Sequence, residues 1–309
     1  MQRFLVVGAT GDQGYRQASA LAAAGHTVLG AGRQPDPARL PNAVKPVALD
    51  LLAPATLPAV LGQVDTVFLN LPSASFNDPG EILQGFQNFL HAAEQSAIRR
   101  IVFNASLYVG DRPVGHVAHD VRHGIIQDLL ASPVPATAVC PVIFMENMLR
   151  GWALPALRER QVLSYPHGED LPVSWVSLDD VARIMIALAD DPEAIDRRYV
   201  IGGPEALRGA ETAAALSRAW GREIRFESLP VEDFARRMGG LFGGGDRAAE
   251  DRIATDLHAI YSWYNTQRPS PFTVDMSQFR QRHALPLLRV DDWARLHPIF
   301  PPITPEVNR

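Results

Sequence analysis

The most constraining feature of the sequence is a regular alternation of apolar runs and helix-like segments through its first half. Six runs are apolar over most of their length: RFLVVGA, HTVLGAG, VKPVALD, DTVFLNL, RIVFNAS and ATAVCPV. A strand that is apolar on both faces must be covered on both faces, which is typical of parallel sheets. The segments QGYRQASALAAAG and GEILQGFQNFLHAAEQSA have helical spacing. This alternation predicts an α/β fold with a doubly wound parallel sheet.

The regular alternation of strand-like and helix-like segments ends after about Phe144. FMENMLRGWALPALRER, SLDDVARIMIALADD and GAETAAALSRAWG predict helices, and RYVIGG and EIRFESLP predict strands. GGLFGGG predicts a flexible break, and the proline-rich IFPPITPEVNR predicts an irregular tail. We therefore expect one domain in residues 1–150 and a smaller α+β lobe in residues 151–309, with some segments of the lobe returning to the first sheet.

The stretch VVGATGDQG places Gly8, Gly11 and Gly14 between the first strand and the first helix. Glycine at this junction permits a tight turn, a close approach of the backbone to a pyrophosphate, and tight packing of helix on strand. The start of the helix then offers free N–H groups and the positive end of its dipole to the phosphates. A tight turn alone would also explain the glycines, but the strand before and the helix after them favour dinucleotide binding.

The end of the second strand indicates which dinucleotide is bound. Sites for NAD usually place a carboxylate there, on the ribose 2′-hydroxyl. This chain has Gly32 and Arg33, and the next carboxylate is Asp36. A guanidinium can pair with a 2′-phosphate, so Arg33 favours NADP(H), unless it is simply a solvated residue at the strand end. Asp50, after the third strand, is a candidate to meet the adenine amino group or to cap the helix that follows.

These residues and several later blocks together resemble the NmrA-like family of atypical short-chain dehydrogenases/reductases. In chain order the blocks are GATGDQG, GR, LDLLAPATL, PVIFMEN, VSLDDVAR, VIGGPEAL and DDWARLHP. The first is shared with many relatives, whereas PVIFMEN and VSLDDVAR make the assignment more specific. The resemblance implies a Rossmann domain that binds NADP(H), a smaller C-terminal substrate lobe, and either reductase activity or redox sensing without turnover.

The resemblance also implies cofactor-binding residues, all of which belong to this chain's loops after strands. Besides Gly8 and Gly14, the phosphates would be lined by Thr10, Gly11, Asp12 and Gln13, and the 2′-phosphate by Arg33. Adenine would face Asp50 and Leu51. The ribose and nicotinamide would be surrounded by Leu71, Pro72, Ser106, Pro141 and Phe144. Physical reasoning places a ligand crevice at the same carboxyl ends of the strands.

The stretch Asn104–Gly124, after the fifth strand, lacks the usual acid machinery. Typical short-chain dehydrogenases use Tyr-x-x-x-Lys, in which tyrosine donates a proton. Lys45 is the only lysine, and Tyr108 has an arginine at that spacing within a loop-like context of glycine and proline. Many NmrA-like proteins carry a lysine in the next helix, where this chain has Arg122. Arginine can hold a ribose hydroxyl or a substrate oxygen, but it cannot act as an acid.

The same stretch contains a cluster of imidazole and carboxylate groups: His116, His119, Asp120 and His123. On one helix the histidines would share a face, which would allow a metal site. Dinucleotide domains of this type need no metal, so we predict none. Structural roles remain open for the histidines, and His119 is the candidate proton donor because it would lie nearest the crevice. The candidate catalytic residues are therefore His119, Arg122 and Ser106.

Composition argues against several other classes of protein. The 309 residues carry a formal net charge of −5 and no basic run, which argues against nucleic-acid binding. No apolar run is long enough to span a bilayer. Cys140, the only cysteine, is predicted to be buried and can form no intramolecular disulfide, so we expect a cytoplasmic protein. The predicted partner is a small-molecule substrate, with a possible homodimer and no nucleic-acid or membrane partner.

Aromatic residues in the second lobe indicate the kind of substrate. A hydrophobic cavity could be lined by Trp152, Tyr165, Trp175, Tyr261, Trp263 and Tyr264, although such residues are more often plain core. The leading hypothesis is an NADP(H)-dependent oxidoreductase that transfers a hydride to or from an apolar, aromatic or conjugated small molecule. The alternatives are an NADP(H)-binding redox sensor or regulatory protein without turnover, and a cofactor-assisted isomerase.

Overall fold

The computed structural model describes residues 2–301, so residues 302–309 of the proline-rich tail lie outside the described part. Within residues 2–301 the strands are β1 (Arg3–Val7), β2 (Thr27–Gly32), β3 (Lys45–Ala48), β4 (Thr66–Asn70), β5 (Arg100–Asn104), β6 (Ala136–Pro141), β7 (Val162–Tyr165), β8 (Arg197–Ile201) and β9 (Arg225–Ser228). The six apolar runs of the first half all form strands, as their pattern predicts.

In this described part, seven strands form one parallel sheet in the order β3-β2-β1-β4-β5-β6-β8. The chain runs outward from β1 to β3 and then returns to the other side of β1 with β4, so the direction of winding reverses between β1 and β4. A parallel sheet that reverses in this way leaves a crevice at the carboxyl ends of these strands. The sheet is a Rossmann-type α/β fold, as predicted.

The helices, numbered along the chain, cover both faces of this sheet and build a second group of elements. They are α1 (Asp12–Ala23), α2 (Leu57–Leu61), α3 (Pro79–Glu94), α4 (Val117–Ala131), α5 (Leu154–Arg160), α6 (Leu178–Asp190), α7 (Gly209–Trp220), α8 (Val231–Phe242), α9 (Arg247–Thr266), α10 (Ser277–His283) and α11 (Val290–Leu296). Short 3₁₀ turns lie at Pro37–Arg39, Pro54–Thr56, Met145–Leu149 and Pro192–Ala194. In the described residues, no helix combines the length and the apolar character that a membrane span requires.

Alternate residues of the strands point to opposite helical layers, which explains why the strands are apolar throughout. Leu5, Val67 and Ile101 belong to a core cluster with Phe86 of α3 and Ile125 of α4. On the other face α1 packs against α6. Since side chains alternate along a strand with a period of two, both faces of each central strand must be apolar to be covered.

The chain divides into two compact units. The first consists of residues 1–142, 178–201 and 277–285, and it contains the parallel sheet. The second consists of residues 143–177, 202–276 and 286–309. Strand β8 therefore joins the first sheet after an excursion of the chain through the second unit. The functional division expected at residue 150, between a cofactor domain and a substrate lobe, stays a prediction.

The second unit contains a small sheet and two tryptophan side chains whose indoles form hydrogen bonds. Strands β7 and β9 form a two-stranded parallel sheet. The indole of the fully buried Trp293 in α11 donates to Glu146 Oε1 at 3.2 Å. The indole of Trp220, at the end of α7, donates to the carbonyl of Ala294 at 2.9 Å. These bonds satisfy the polar atoms of side chains that otherwise contribute apolar burial.

Two elements of the second unit differ from their prediction. FMENMLRGWALPALRER is not one helix, because a 3₁₀ turn at Met145–Leu149 precedes a separate α5 that begins at Leu154. Pro155 lacks an N–H and is accepted only in the first turn of α5. The predicted break at GGLFGGG is also partly wrong, since α8 continues to Phe242. A Cβ on Gly239 would lie 2.5 Å from the carbonyl oxygen of Glu250, so this glycine is required for close packing of α8 on α9.

The aromatic residues of the second unit contact one another around a buried histidine. The ring of His167 lies 4.6 Å from Tyr165, 5.8 Å from Trp175 and 5.3 Å from Phe272, measured between centroids. Its Nε2 has no hydrogen-bond partner, and burial lowers the pKa of His167 to about 3. The imidazole is therefore held neutral in an aromatic environment.

Replacing His167 with phenylalanine should flatten the pH dependence of stability. The unfolded chain takes up a proton near the ordinary histidine pKa of 6.5, whereas the folded chain takes it up only near 3. The neutral imidazole therefore makes its full contribution to the free energy of unfolding above pH 6.5, and this contribution decreases as the pH falls towards 3. The loss amounts to about 2 kcal/mol at pH 5. His167→Phe keeps a ring in the cluster and removes this loss.

Urea unfolding at pH 7.5, 6 and 5 measures the effect on the free energy of unfolding. The exposed His258 gives the matched control, since His258→Gln should keep the pH dependence of the wild type. Parallel pH profiles of His167→Phe and the wild type would contradict the assignment of a buried neutral imidazole.

Candidate functional site

The glycine loop joins β1 to α1 and needs glycine for two different reasons. Gly8 has a φ of 74°, in the left-handed region that side chains disfavour. Gly14 is buried at the start of α1, where a Cβ would lie 2.2 Å from the carbonyl oxygen of Gly8. The helix therefore approaches the end of β1 as closely as a backbone permits. This is the close packing that the sequence pattern predicts.

The start of α1 has the properties of an anion site. Gly11 is its N-cap and supplies no side-chain cap for the first turn, and Gly11 and Asp12 are exposed. The N–H groups of this turn and the positive end of the helix dipole point towards the same place. A glycine N-cap, which supplies no side-chain cap, at the start of a helix of twelve residues fits the pyrophosphate of a dinucleotide.

The end of β2 is open and positively charged. A Cβ on Gly32 would meet no atom within 4 Å, and the adjacent Arg33 is exposed. The Asp36 carboxylate accepts the N–H of Ala38 at 2.9 Å, so it caps a 3₁₀ turn. Arg39, which sequence reasoning missed, donates from Nη2 to the carbonyl of Thr10 at 3.2 Å. Two guanidinium groups therefore belong to this end of the site, and the nearest carboxylate in sequence is already engaged.

The residues after β3 form a turn beside the end of β2. The N–H of Leu49 donates to the carbonyl of Gly32 at 2.8 Å. Asp50 accepts the N–H of Leu52 at 3.0 Å, so it caps this turn and not the start of a helix. The carbonyl of Leu51 accepts a bond from the Asn88 side chain at 2.9 Å. Asp50 and Leu51 are thus brought to the same edge of the sheet as Arg33, as the sequence predicts.

A chain of amide side chains connects α1 to the carboxyl ends of the two central strands. Asn70 and Asn104 are direct partners in the pairing of β4 with β5. Gln17 and Asn70 exchange two hydrogen bonds, of 3.0 and 2.8 Å. The Nδ2 of Asn104 donates to Asn70 Oδ1 at 3.0 Å and to Gln13 Oε1 at 2.5 Å. The network ties the glycine loop to the floor of the crevice.

Ser106 lies at the end of this network in a strained conformation. Its φ of 64° is in the left-handed region, which is rare for a residue with a side chain. The N–H of Ser106 donates to Asn104 Oδ1 at 3.0 Å, and its hydroxyl donates to Gln13 Oε1 at 3.3 Å. The structure thus brings together the predicted residues Gln13 and Ser106. Sequence reasoning missed Asn70 and Gln17, although the asparagine near the end of each of the apolar runs DTVFLNL and RIVFNAS was a usable signal.

The predicted proton donor, His119, supports the loop that follows β5. Its side chain is fully buried, and Nε2 accepts the N–H of Gly110 at 2.8 Å. Nδ1 lies 3.0 Å from Oδ1 of Asp120, whose carboxylate also accepts the N–H groups of Val114 and Gly115. Burial lowers the pKa of His119, although the Asp120 carboxylate opposes this. Because both ring nitrogens are engaged, the arrangement favours a structural role over proton donation.

The histidines do not share one helix face. His116 is the N-cap of α4, with an extended backbone, so only His119 and His123 are helical. The rings of these two are stacked with centroids 6.3 Å apart. Within residues 2–301, no group of three or more histidine, cysteine, aspartate or glutamate side chains is arranged to hold a metal ion.

Arg198 of β8 holds the same loop from the other side. It donates to the carbonyls of Val109 and Gly110 and pairs with Asp111. The phenol of Tyr108 lies nearby, and burial raises its pKa although the positive charge of Arg198 opposes this. The loop is therefore fixed by side chains from α4 and β8.

Arg122 is fully buried in α4, and its guanidinium binds backbone carbonyls. Nε donates to the carbonyl of Ala105 at 3.2 Å, and Nη2 donates to those of Leu71 at 3.1 Å and of Pro72. The loops after β4 and β5 are therefore joined through one cation. Nη1 is buried and has no hydrogen-bond partner, so a contact of Arg122 with a ribose hydroxyl or a substrate oxygen stays a prediction.

The remaining predicted residues are divided between the two units. Leu71 is buried and Pro72 is exposed, directly after β4. Pro141 ends β6 and is buried. Phe144 belongs to the second unit, where it forms a parallel bridge with Val176, so its place beside the nicotinamide stays a prediction. Cys140 is buried in β6, and burial raises the pKa of its thiol, as expected for a core cysteine.

Two helical glycines provide a matched pair for testing the loop. Gly14→Ala should destabilise the fold by about 1–3 kcal/mol, because the added methyl group meets backbone atoms of Gly8 and Ala9. Gly124→Ala, in the middle of α4, should stabilise it by about 0.5–1 kcal/mol, because a Cβ there meets nothing within 4 Å. Urea unfolding followed by circular dichroism measures both. Equal effects of the two substitutions would contradict the close approach at Gly14.

The sequence is similar to two characterised reductases over most of its length. It is 33% identical over 242 residues to the NAD(P)H azoreductase of Xenophilus azovorans, and the matched region covers 77% of this chain and 80% of that protein. It is 34% identical over 233 residues to the (4-alkanoyl-5-oxo-2,5-dihydrofuran-3-yl)methyl phosphate reductase of Streptomyces griseus, which covers 74% and 77%.

The fold is also similar to that of a solved regulatory protein. The crystal structure of NmrA, a negative transcriptional regulator in complex with NADP, superposes with a TM-score of 0.70 over 95% of this chain and 94% of that chain, at 17% identity. A likeness at this identity supports the fold alone. The family model for the NmrA-like family matches residues 1–293. The chain therefore belongs to the NmrA-like family.

Proposed function

We propose that this protein is an NADP(H)-dependent oxidoreductase that passes a hydride between the cofactor and an apolar, aromatic or conjugated small molecule. The observation that carries the proposal is the start of α1 at the glycine loop, where Gly11 supplies no side-chain cap and Gln13 Oε1 accepts a hydrogen bond from the Ser106 hydroxyl. These groups form one continuous edge of the first unit, from a pyrophosphate site to the loop after β5. The 33% identity to an NAD(P)H azoreductase supports turnover of a redox substrate.

The preference for NADP(H) over NAD(H) is proposed from the charges at the end of β2. Arg33 is exposed beside the open space at Gly32, and Arg39 reaches back to the Thr10 carbonyl. A 2′-phosphate would be met by guanidinium groups, which bind phosphate through several hydrogen bonds. A carboxylate that would select a free 2′-hydroxyl is missing between Gly32 and Asp36, and Asp36 caps a turn.

When bound, the nicotinamide supplies the hydride, and the protein's own groups bind and orient the cofactor and the substrate. The network of Gln13, Asn70 and Asn104 fixes the loop that carries Ser106. His119 and Arg122 hold backbone groups, so we infer that protons for the product come from water that enters with the substrate. The Ser106 hydroxyl, oriented by Gln13, is the side chain proposed to contact the reacting groups.

The substrate is proposed to be a flat, apolar molecule bound with the help of residues 151–309. The azoreductase relative supports aromatic substrates, and azo compounds, quinones and conjugated carbonyls are the proposed candidates. The aromatic cluster around His167 is buried and packs on itself, so it supports the core of the second unit and not a substrate site. Pro141 and Phe144 are proposed to complete the nicotinamide side of the site. A cytoplasmic location and a homodimer remain proposals from the sequence.

A specific observation favours a second candidate, a redox sensor that binds NADP(H) without turnover. His119 is engaged at both ring nitrogens, and Nε and Nη2 of Arg122 donate to backbone carbonyls. A protein that only binds the cofactor requires no proton donor. Turnover assays separate the two candidates.

Replacing Arg33 should reduce affinity for NADPH and leave affinity for NADH nearly unchanged. Loss of a charge-assisted bond to the 2′-phosphate corresponds to about 10- to 100-fold weaker NADPH binding for Arg33→Ala. Arg39→Ala should weaken it less, because Arg39 also binds the Thr10 carbonyl. Isothermal titration calorimetry with both nucleotides measures this, with the exposed Arg158→Ala as the control. A wild-type preference for NADH would contradict the proposed cofactor.

Incubation with NADPH and a panel of acceptors tests the proposed reaction. We expect at least one azo dye, quinone, enone or aryl carbonyl to consume NADPH, followed by its absorbance. Ser106→Gly keeps the left-handed backbone and removes the hydroxyl, so it should lower kcat by about tenfold with little change in NADPH affinity. Tight binding of NADPH with no consumption by any acceptor would instead support the sensor.

A further inference from the structure

The network of amide side chains is bounded by two backbone groups whose hydrogen-bonding roles are fixed. On one side, Asn70 Nδ2 donates to the carbonyl of Val7 at 2.8 Å. On the other side, Asn104 Oδ1 accepts the N–H of Ser106 at 3.0 Å. A carbonyl oxygen can only accept and a peptide N–H can only donate, whereas an amide side chain can turn over and exchange its two ends. The backbone therefore decides which end of each amide faces which neighbour.

This orientation is transmitted from one amide to the next. Because Nδ2 of Asn70 faces Val7, its Oδ1 faces Asn104 and accepts that residue's Nδ2 at 3.0 Å. The N–H of Ser106 requires the same orientation of Asn104, so the two fixed groups agree. Gln17 both donates to Asn70 Oδ1 and accepts from its Nδ2, at 3.0 and 2.8 Å. Asn104 is fully buried, so water offers it no alternative partner.

Gln13 is the last amide of the network, and only one of its two ends is held. Its Oε1 accepts Asn104 Nδ2 at 2.5 Å and the Ser106 hydroxyl at 3.3 Å. Turning this amide over would place its Nε2 against Asn104 Nδ2, so two donors would face each other. Within residues 2–301, Gln13 Nε2 has no hydrogen-bond partner, and it is not enclosed from solvent. The network thus leaves the two N–H donors of Gln13 available in the first turn of α1.

We propose that Asn104 is a positioning residue that makes Gln13 a hydrogen-bond donor, and not an acceptor, towards the phosphates of the cofactor. This inference rests on the proposed function, which places a pyrophosphate at the start of α1. Phosphate oxygens accept hydrogen bonds, so the opposite orientation of the amide would present an oxygen to an anion. Since the network sets this orientation before the cofactor binds, binding does not have to order the side chain.

A double-mutant cycle with NADPH tests whether Asn104 acts through Gln13. Gln13→Met keeps an unbranched side chain and removes the donors, so it should weaken NADPH binding by about tenfold. Asn104→Asp keeps an acceptor for the Ser106 N–H but cannot donate, so Gln13 is free to turn over and binding should weaken by a similar factor. In the double variant the effect of Asn104→Asp should disappear, because the amide through which it acts is gone. Isothermal titration calorimetry measures the four dissociation constants.

The double variant also separates this positioning role from the charge that Asn104→Asp adds. A carboxylate at position 104 would repel the phosphates whether or not Gln13 is present. An effect of Asn104→Asp that persists in full in the Gln13→Met background therefore overturns the proposal. The matched control is Gln127→Met, at an exposed position of α4, which should leave NADPH affinity unchanged. Thermal unfolding of each variant checks that the chain is folded.

A second measurement does not depend on the folding of Asn104→Asp. In proton–nitrogen NMR spectra of the wild type, the side-chain amide of Gln13 is identified as the pair of resonances that Gln13→Met lacks. These resonances should shift when NADPH is added, because a phosphate oxygen accepts from them. Resonances that stay in place at saturating NADPH overturn the proposal.

The outcomes distinguish this inference from the proposed function. If the wild type binds NADPH and Gln13→Met binds it equally well, the role of Gln13 is overturned and the cofactor assignment stands. If Gln13→Met weakens binding and Asn104→Asp does not, Gln13 contacts the cofactor without being positioned by Asn104, which also overturns the proposal. If the wild type does not bind NADPH, the proposed function fails, and this inference with it.

Discussion

Asn70 and Asn104 are paired across β4 and β5 at the point where both strands end, and their amides link these strands to α1 through Gln13 and Gln17. Amides can donate and accept at once, so a chain of them satisfies its own polar atoms at the edge of an apolar core. The orientation of the glycine loop and the strained backbone of Ser106 both depend on this network. A rigid crevice edge follows from it.

His119 and Arg122, which the sequence offers as catalytic candidates, both bind backbone groups in the structure. His119, Asp120 and Arg198 fix the loop after β5, and Arg122 joins that loop to the one after β4. Polar backbone groups in a buried loop need partners, and side chains from α4 and β8 provide them.

Much of the first unit could be predicted because its signals are local. The apolar runs, the glycine spacing and the helix between them all act over a few residues. Gly239 was expected to lie in a flexible break, whereas it lies within α8, where the missing side chain lets α9 approach at Glu250. That contact depends on the packing of two helices and is not visible in the spacing of residues. His116 has a different cause, since its backbone is extended at the N-cap of α4 and it therefore does not share the helix face.

The sequence by itself determined the parallel sheet, the glycine turn and the positive end of β2, because backbone geometry and hydrophobic periodicity specify them locally. Only the tertiary structure decided which partners the polar side chains at the carboxyl ends of the strands bind. Strand pairing brings Asn70 to Asn104, and the packing of α4 on the sheet buries Arg122 against three carbonyls. Residues separated by tens of positions meet there, and their partners, burial and charge compensation exist only once the sheet has assembled.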